Sequence, residues 1–380
     1  MRRALLAAAV TAALILSAGN VGYAAPVIPV PPVEGLPVEA APPVTAKVWI
    51  LYDATHGVVL GSLDADVERP MASTTKIMTA LVALRHGDLE SLVTVSRRAA
   101  DAGEAEIGLL PGEQFPLRLL IKTAVVRSAN DAAVAVAEAV GGSEAAFVEL
   151  MNAEASGMGL THTRFANPHG LDAPEHWSSA RDLLTMTLAA MEYPDFSEAV
   201  RTSQLGFPPA PDGTERIAKT TNRLLADYEG AIGVKTGFTT RAGLVLVAAA
   251  EREGRRIYAV VMGSEGESAH FEDATALLDY AYASFGVVPL VVAGQPYALR
   301  RSGPVTDALS ATATVEAFIH LASAGLLLPE LALDDGSPSV AVTDDLPAVE
   351  LAQPERPPLP GLGDAFAWIG RLWQNLVDTG

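Results

Sequence analysis

Apolar and polar residues follow two different periods along this chain. Val48-Trp49-Ile50-Leu51-Tyr52 and Gly57-Val58-Val59-Leu60 are short apolar runs joined by the polar stretch Asp53 to His56, which predicts a hairpin. Gly243 to Ala250 and Arg256 to Met262, separated by Glu253-Gly254, predict a second hairpin. Between the hairpins the period becomes helical. Ile77, Met78, Leu81 and Leu84 recur at helical spacing after Pro70, and no helix breaker follows until Gly87. Leu117 to Val126, Ala132 to Val140 (stopped by Gly141-Gly142) and Ala145 to Met158 read as further helices, after a short strand at Leu92 to Val95. The segment 99–211 is mostly helical, and Phe271 to Phe285 closes the region with a helix. Strands at both ends of a helical insert predict an α/β fold: an antiparallel sheet flanked by helices, with a mostly helical inserted lobe.

The flanks read differently. Met1-Arg2-Arg3, the apolar run Ala4 to Leu16 and the small-residue site Gly22-Tyr23-Ala24 have the form of a secretory signal peptide over 1–24. Residues 25–45 are proline-rich and predict an extended linker. A catalytic-size domain over 46–286 follows. Beyond it, 287–360 predicts a reduced or irregular region that starts like strands (Val287 to Arg301) and continues with an alanine-rich helix (Asp307 to Leu326). In 361–380, Leu362, Phe366, Ile369, Trp373 and Leu376 share one helical face, so this stretch can lie in a membrane interface or dock on protein.

Composition removes several classes of function. A net charge of −19 argues against nucleic acid as partner, because phosphate binding needs a basic face. With no cysteine, the chain has no disulfide, no thiol metal site and no lipid-bearing N-terminal cysteine. His162, His169 and His176 are evenly spaced, yet Pro168, Gly170 and Pro174 deny them a common helical face, so no metal or other cofactor is expected. No Gly-x-Ser-x-Gly elbow is present, which disfavours a Ser-His-Asp triad.

Three short motifs carry chemistry. Ser73 and Lys76 stand three apart at the start of a helix, which puts their Cβ atoms about 5–6 Å apart on one face. A lysine can take the serine proton only if it is neutral, and lowering its pKa from about 10.4 by about 3 units costs on the order of 4 kcal/mol. Burial and a second cation could supply that shift together. Lys235-Thr236-Gly237 offers the cation, on a strand next to the second hairpin and most simply at the sheet edge. Gly237 there would let another backbone come close. Ser128-Ala129-Asn130, between two helices, adds a hydroxyl for proton relay and an amide for a substrate carbonyl. Each motif occurs once, in this order, at separations compatible with one cleft.

With these motifs the chain resembles the serine D-alanyl-D-alanine carboxypeptidases, the low-molecular-mass penicillin-binding proteins. The resemblance covers roughly Ala46 to Phe285 and extends to Phe165-Ala166-Asn167-Pro168-His169-Gly170-Leu171, Ser178-Ser179-Ala180-Arg181-Asp182-Leu183 and Thr221-Asn222-Arg223-Leu224-Leu225. It implies that Ser73 attacks the D-Ala–D-Ala carbonyl with Lys76 as base, Ser128 passes the proton on, and Asn130 orients substrate. It further implies that Lys235 and Thr236 bind the terminal carboxylate, with the oxyanion held by the backbone N–H groups of Ser73 and Phe238. The partners so implied are peptidoglycan stem peptides and β-lactam inhibitors, and the place is the periplasm or cell envelope. Two departures stand out: His270 aligns where the family has an arginine that assists carboxylate binding, and the C-terminal region is unlike the family's β-rich domain. A β-lactamase and a silent peptidoglycan-binding protein are the alternative readings.

Overall fold

The computed structural model describes residues 41–291 and, further on, the strands and a few single residues between 293 and 352. Two compact units divide between Phe285 and Gly286.

The first unit is built on a five-stranded antiparallel sheet. Its strands are β1 (Val48–Asp53), β2 (Val58–Leu63), β3 (Ala231–Thr239), β4 (Gly243–Arg252) and β5 (Arg255–Ser264), in the spatial order β2-β1-β5-β4-β3. Both expected hairpins form, and β1 pairs along its length with β5, Val48 opposite Met262 through Asp53 opposite Ile257. The two ends of the unit's sequence therefore meet in the sheet, and β3 is an edge strand as its motif suggested.

Why β4 and β5 are apolar throughout follows from their register. Val245 opposite Met262, Val247 opposite Val260 and Ala249 opposite Tyr258 belong to the core shared with the helical lobe. The alternate pairs, Leu246 with Val261 and Ala248 with Ala259, are equally buried on the other face, where the closing helix packs. A strand buried on both faces reads as a continuous apolar run, with no alternation to see.

The helices are α1 (Lys76–His86), α2 (Leu117–Val126), α3 (Asn130–Gly141), α4 (Glu144–Gly157), α5 (Ala180–Met191), α6 (Pro194–Arg201) and α7 (Ala269–Ser284). Their ends are set by local chemistry. Gly142, at φ 75°, ends α3, and Ser143 accepts the Ala146 N–H to start α4. Ser179 caps α5 by accepting from the Asp182 N–H, and Pro194 occupies the first turn of α6. Residues Lys76 to Ala83 of α1 are all buried, so this helix runs through the interior instead of lying on it with one face.

Asp131, in the first turn of α3, fastens the lobe from inside. Its fully buried carboxylate accepts from the backbone N–H groups of Ile107, Gly108 and Leu109. An irregular loop is thereby held against the helix that carries Asn130.

The second unit is β-rich, which corrects the expectation of a reduced or irregular region over 287–360. Phe285–Val291 pairs with Val315–His320, and a five-stranded sheet runs in the order Pro296–Ser302, Val305–Ala311, Val349–Ala352, Ser337–Ala341, Glu330–Asp334. The helix expected over 307–326 is corrected: two strands occupy most of that stretch. Alanine content suggested a helix, whereas Val315-Glu316-Ala317-Phe318-Ile319-His320 is β-branched and aromatic as a strand requires. The expected signal peptide, most of the linker and the helix over 361–380 lie outside the described residues.

Asp131→Ala leaves the N–H groups of Ile107, Gly108 and Leu109 without their acceptor, the first and last of them buried, and should lower the unfolding free energy by about 2 kcal/mol in urea titrations. Asp131→Asn, which keeps one acceptor oxygen, should lose less.

Candidate active site

Ser73 does not begin the α-helix itself. It sits in a 3-10 turn, Ala72–Thr75, which leads directly into α1. The turn is tightened by two threonine hydroxyls, Thr74 Oγ1 donating to the Met71 carbonyl at 2.6 Å and Thr75 Oγ1 to the Ala72 carbonyl at 2.8 Å. Ala72 is held at φ 49°, in the left-handed region.

Lys76 begins α1 and is completely buried. Its Nζ lies 3.0 Å from Ser73 Oγ, 2.7 Å from Asn130 Oδ1 and 2.5 Å from the His169 carbonyl. A neutral amine has two N–H donors and one lone pair. Asn130 and His169 can take the donors, and the lone pair is left for the Ser73 hydroxyl. Burial lowers the Lys76 pKa well below its ordinary value, and the charge of Lys235 lowers it further, against the opposing pull of Asp131 and Glu104. Both effects required by the sequence argument are present.

Asn130 is oriented by a second bond, Nδ2 donating to the Gly103 carbonyl at 2.9 Å. Ser128 is buried between α2 and α3 at φ 64°. Lys235, also buried, donates from Nζ to the Thr236 carbonyl at 2.9 Å, and burial brings its pKa down to about 7.

Register divides the edge-strand motif between two faces. Lys235 and Gly237 lie opposite Val247 and Val245, on the face of the helical lobe; Thr236 and Phe238 lie opposite Leu246 and Leu244, on the face of α7. At Gly237 an added Cβ would come within 3.0 Å of the Ser73 nitrogen and the Ala72 Cβ. Glycine lets the strand and the serine turn approach this closely without either giving way. Thr236 Oγ1 is 2.5 Å from Thr221 Oγ1. His270, buried in α7 with its ring 4.0 Å from that of Phe271, has a pKa lowered to about 4 by burial and so carries no charge at neutral pH.

The loop from Asn167 to Asp172 also serves the site. Its His169 carbonyl holds Lys76, and Asp172 accepts from Thr239 Oγ1 and the Arg241 N–H at the β3–β4 turn. Gly170, at φ 97°, lies so close that a Cβ would collide with the Ala72 carbonyl. His176 continues the support. Its Nδ1 accepts the Ala166 N–H at 3.0 Å, so Nε2 carries the proton and donates to Thr75 Oγ1 at 2.9 Å. Counting histidines for metal ligands missed this role. The signal was the Asn-Pro-His-Gly-Leu turn itself, a rigid loop in which backbone does the work. Among the described residues no acidic and histidine cluster could hold a metal.

A half-buried serine bonded to a buried lysine, met by an asparagine from a helix start and a lysine from a sheet edge, points to the penicillin-recognising class of protein. The sequence model of the D-alanyl-D-alanine carboxypeptidases, peptidase family S11, matches residues 37–266, and the chain belongs to that family. It is 36% identical to D-alanyl-D-alanine carboxypeptidase DacB2 of Mycobacterium tuberculosis over 259 residues, 67% of this chain and 87% of that protein. It is 34% identical to D-alanyl-D-alanine carboxypeptidase DacF of Bacillus subtilis, covering 67% of this chain and 66% of that one. The Streptomyces K15 DD-transpeptidase structure superposes with a TM-score of 0.60 at 31% identity, over 64% of this chain and 99% of that one.

Unfolded Lys235 keeps its proton to about pH 10.4, and in the fold it loses the proton near 7. Between those values the unfolded chain binds more protons, so this residue makes stability rise with pH by up to about 1.4 kcal/mol per unit. Urea unfolding from pH 7 to 10 should show a shallower rise for Lys235→Met than for the unaltered protein.

Proposed function

We propose that this protein is a serine D,D-carboxypeptidase that removes the terminal D-alanine from peptidoglycan stem pentapeptides through an acyl-enzyme on Ser73. The observation that carries the reading is the 3.0 Å contact of Ser73 Oγ with an amine whose proton affinity is lowered by burial and a second lysine.

Ser73 Oγ attacks the carbonyl of the D-Ala–D-Ala bond while its proton passes to Lys76. The tetrahedral oxyanion lies between the N–H groups of Ser73 and Phe238, a donor type worth about 10²–10³ in rate. Collapse breaks the C–N bond, and the proton travels through Ser128 to the departing D-alanine amine. Asn130 holds the peptide and Lys76 in place; Lys235 and Thr236 receive the substrate carboxylate, and Gly237 keeps the cleft closed against the serine turn. Water then attacks the ester, Lys76 again taking a proton, and the tetrapeptide leaves. A β-lactam presents the same carbonyl and carboxylate and acylates Ser73.

Substrate of this kind lies in the cell wall, which agrees with the basic, apolar and small-residue pattern of 1–24 as an export signal. In the sequence, the helical spacing of Leu362, Phe366, Ile369, Trp373 and Leu376 suits a peripheral membrane contact. Among the described residues no helix is long and apolar enough to cross a membrane.

Incubation with a D-Ala–D-Ala pentapeptide should release D-alanine, and penicillin should leave a long-lived adduct on Ser73 by peptide mass mapping. Rapid penicillin turnover would instead indicate a β-lactamase, and neither reaction a binding protein. Ser73→Ala should lose both activities by at least about 10³-fold. The acylation rate should rise with pH as Lys76 loses its proton, and Lys76→Arg, which stays charged, should be inactive at every pH.

A further inference from the structure

The His169 carbonyl, which takes an N–H from the Lys76 amine, is aimed by groups that the motifs do not name. Its loop is wound on itself. Asn167 Oδ1 accepts the His169 and Gly170 N–H groups at 3.2 and 2.7 Å, and the Asn167 amide donates to the Leu171 carbonyl. The His169 ring closes the same turn, its Nδ1 accepting the Leu171 N–H at 3.2 Å. A neutral ring that accepts at Nδ1 carries its proton on Nε2. Nε2 lies 3.6 Å from Glu144 Oε1, and Arg98 Nη2 fixes that carboxylate, 2.9 Å from Oε2. Glu144 is the first residue of α4, behind the Ser143 cap, and Arg98 belongs to a short helix, Arg97–Ala100, capped by Ser96. Two capped helices therefore meet the buried ring of a loop residue.

We propose that Glu144 is a positioning residue for the reaction: it holds the His169 ring with its proton on Nε2, and the ring keeps the His169 carbonyl on Lys76. The proposal rests on the carboxypeptidase reading above and deepens it. Ring and carbonyl belong to one residue, so the orientation of one constrains the other. With its proton on Nδ1, the ring would face the Leu171 N–H donor to donor, and the turn could not stay closed. The carbonyl would then leave the amine, whose lone pair is directed at Ser73 by the two N–H bonds to Asn130 and His169.

The charges around the ring suit this role. Burial is the main cause that lowers the His169 pKa; Glu144 on α4 raises it, and Lys76 on α1 and Arg98 lower it again. The Glu144 carboxyl is held below its ordinary value first by His169 and then, against burial, by Arg98. His176, on the same loop, is brought down to about 4 by burial and carries no charge at neutral pH. A glutamate alone would draw a second proton onto the His169 ring; the guanidinium behind it opposes that, so a neutral ring stands beside an ionised carboxylate.

The test measures acylation by benzylpenicillin under single-turnover conditions as a function of pH. Glu144→Ala should lower the limiting rate about tenfold and move the midpoint of its acid limb downward, because an acceptor carbonyl favours the charged amine over the neutral one. Glu144→Gln, whose amide oxygen can still accept from Nε2, should stay within about threefold of the unaltered rate. Nitrogen–proton NMR of histidine-labelled protein should place the His169 proton on Nε2 in the unaltered chain and on both nitrogens in Glu144→Ala. The assignment would be overturned by an unchanged rate in Glu144→Ala, by a lowered rate whose midpoint stays in place, or by Glu144→Gln acylating as slowly as Glu144→Ala. A proton on Nδ1 of the unaltered protein would overturn it too, and that measurement needs no variant to fold. An unaltered protein that penicillin does not acylate and that releases no D-alanine would overturn the carboxypeptidase reading, and this proposal with it, whatever the tautomer.

Discussion

Burial of the Lys76 amine is the constraint on which the site depends. An ammonium group in this position would have lost its water and would face a second lysine across the cleft. The neutral form avoids both penalties, and it is the only form with a lone pair for the serine proton. Every element around it serves this condition. The long interior helix excludes water from the stem, Asn130 and the His169 carbonyl satisfy the two remaining N–H groups, and the sheet edge brings in the opposing charge. These groups come from four separate stretches of sequence. The site therefore exists only when the sheet and the helical lobe are both assembled.

The second requirement is steric. Backbone packs closely against the serine turn on two sides, and both neighbours are glycine: Gly237 on the strand and Gly170 on the loop. The turn is then fixed in three directions. The hydroxyls of Thr74 and Thr75 hold it to its own start, His176 supports it from behind, and Gly170 presses on the Ala72 carbonyl. The left-handed conformation of Ala72 is tolerated because these contacts over-determine it.

How much of this could be read from sequence depends on how local each signal is. The hairpins, α1 and the helices from 117 to 157 were legible because periodicity and turn residues act over a few positions. The meeting of Ser73, Lys76 and Asn130 was legible because their spacing and order repeat a family's motif. The roles of His169, Asp172 and His176 were not, since two of them act through a carbonyl or at a distant turn, and no pattern marks a carbonyl. Nothing in the local pattern marks Asp131 either, because the loop it holds lies more than twenty residues upstream. The strands at 305–320 were misread for a different reason: alanine favours a helix locally, and pairing with distant strands outweighs that preference.

Holding a lysine at a pKa of about 7 in place of 10.5 costs about 5 kcal/mol at neutral pH, a large part of the 5–15 kcal/mol by which domains are usually stable. The fold has to offset that cost where the chemistry does not need flexibility. It does so in the central strands, whose two apolar faces are both covered, and in α1, whose buried residues pack on either side of the catalytic stem. Polar groups of the site, by contrast, hold one another in place, several of them through two contacts. Thr236 illustrates the economy: its carbonyl accepts from Lys235 and its hydroxyl meets Thr221. Groups already bonded to one another in this way need no further ordering when a ligand arrives, which lowers the entropy lost on binding. The buried amines that strain the fold are thus the same two that the candidate site brings together.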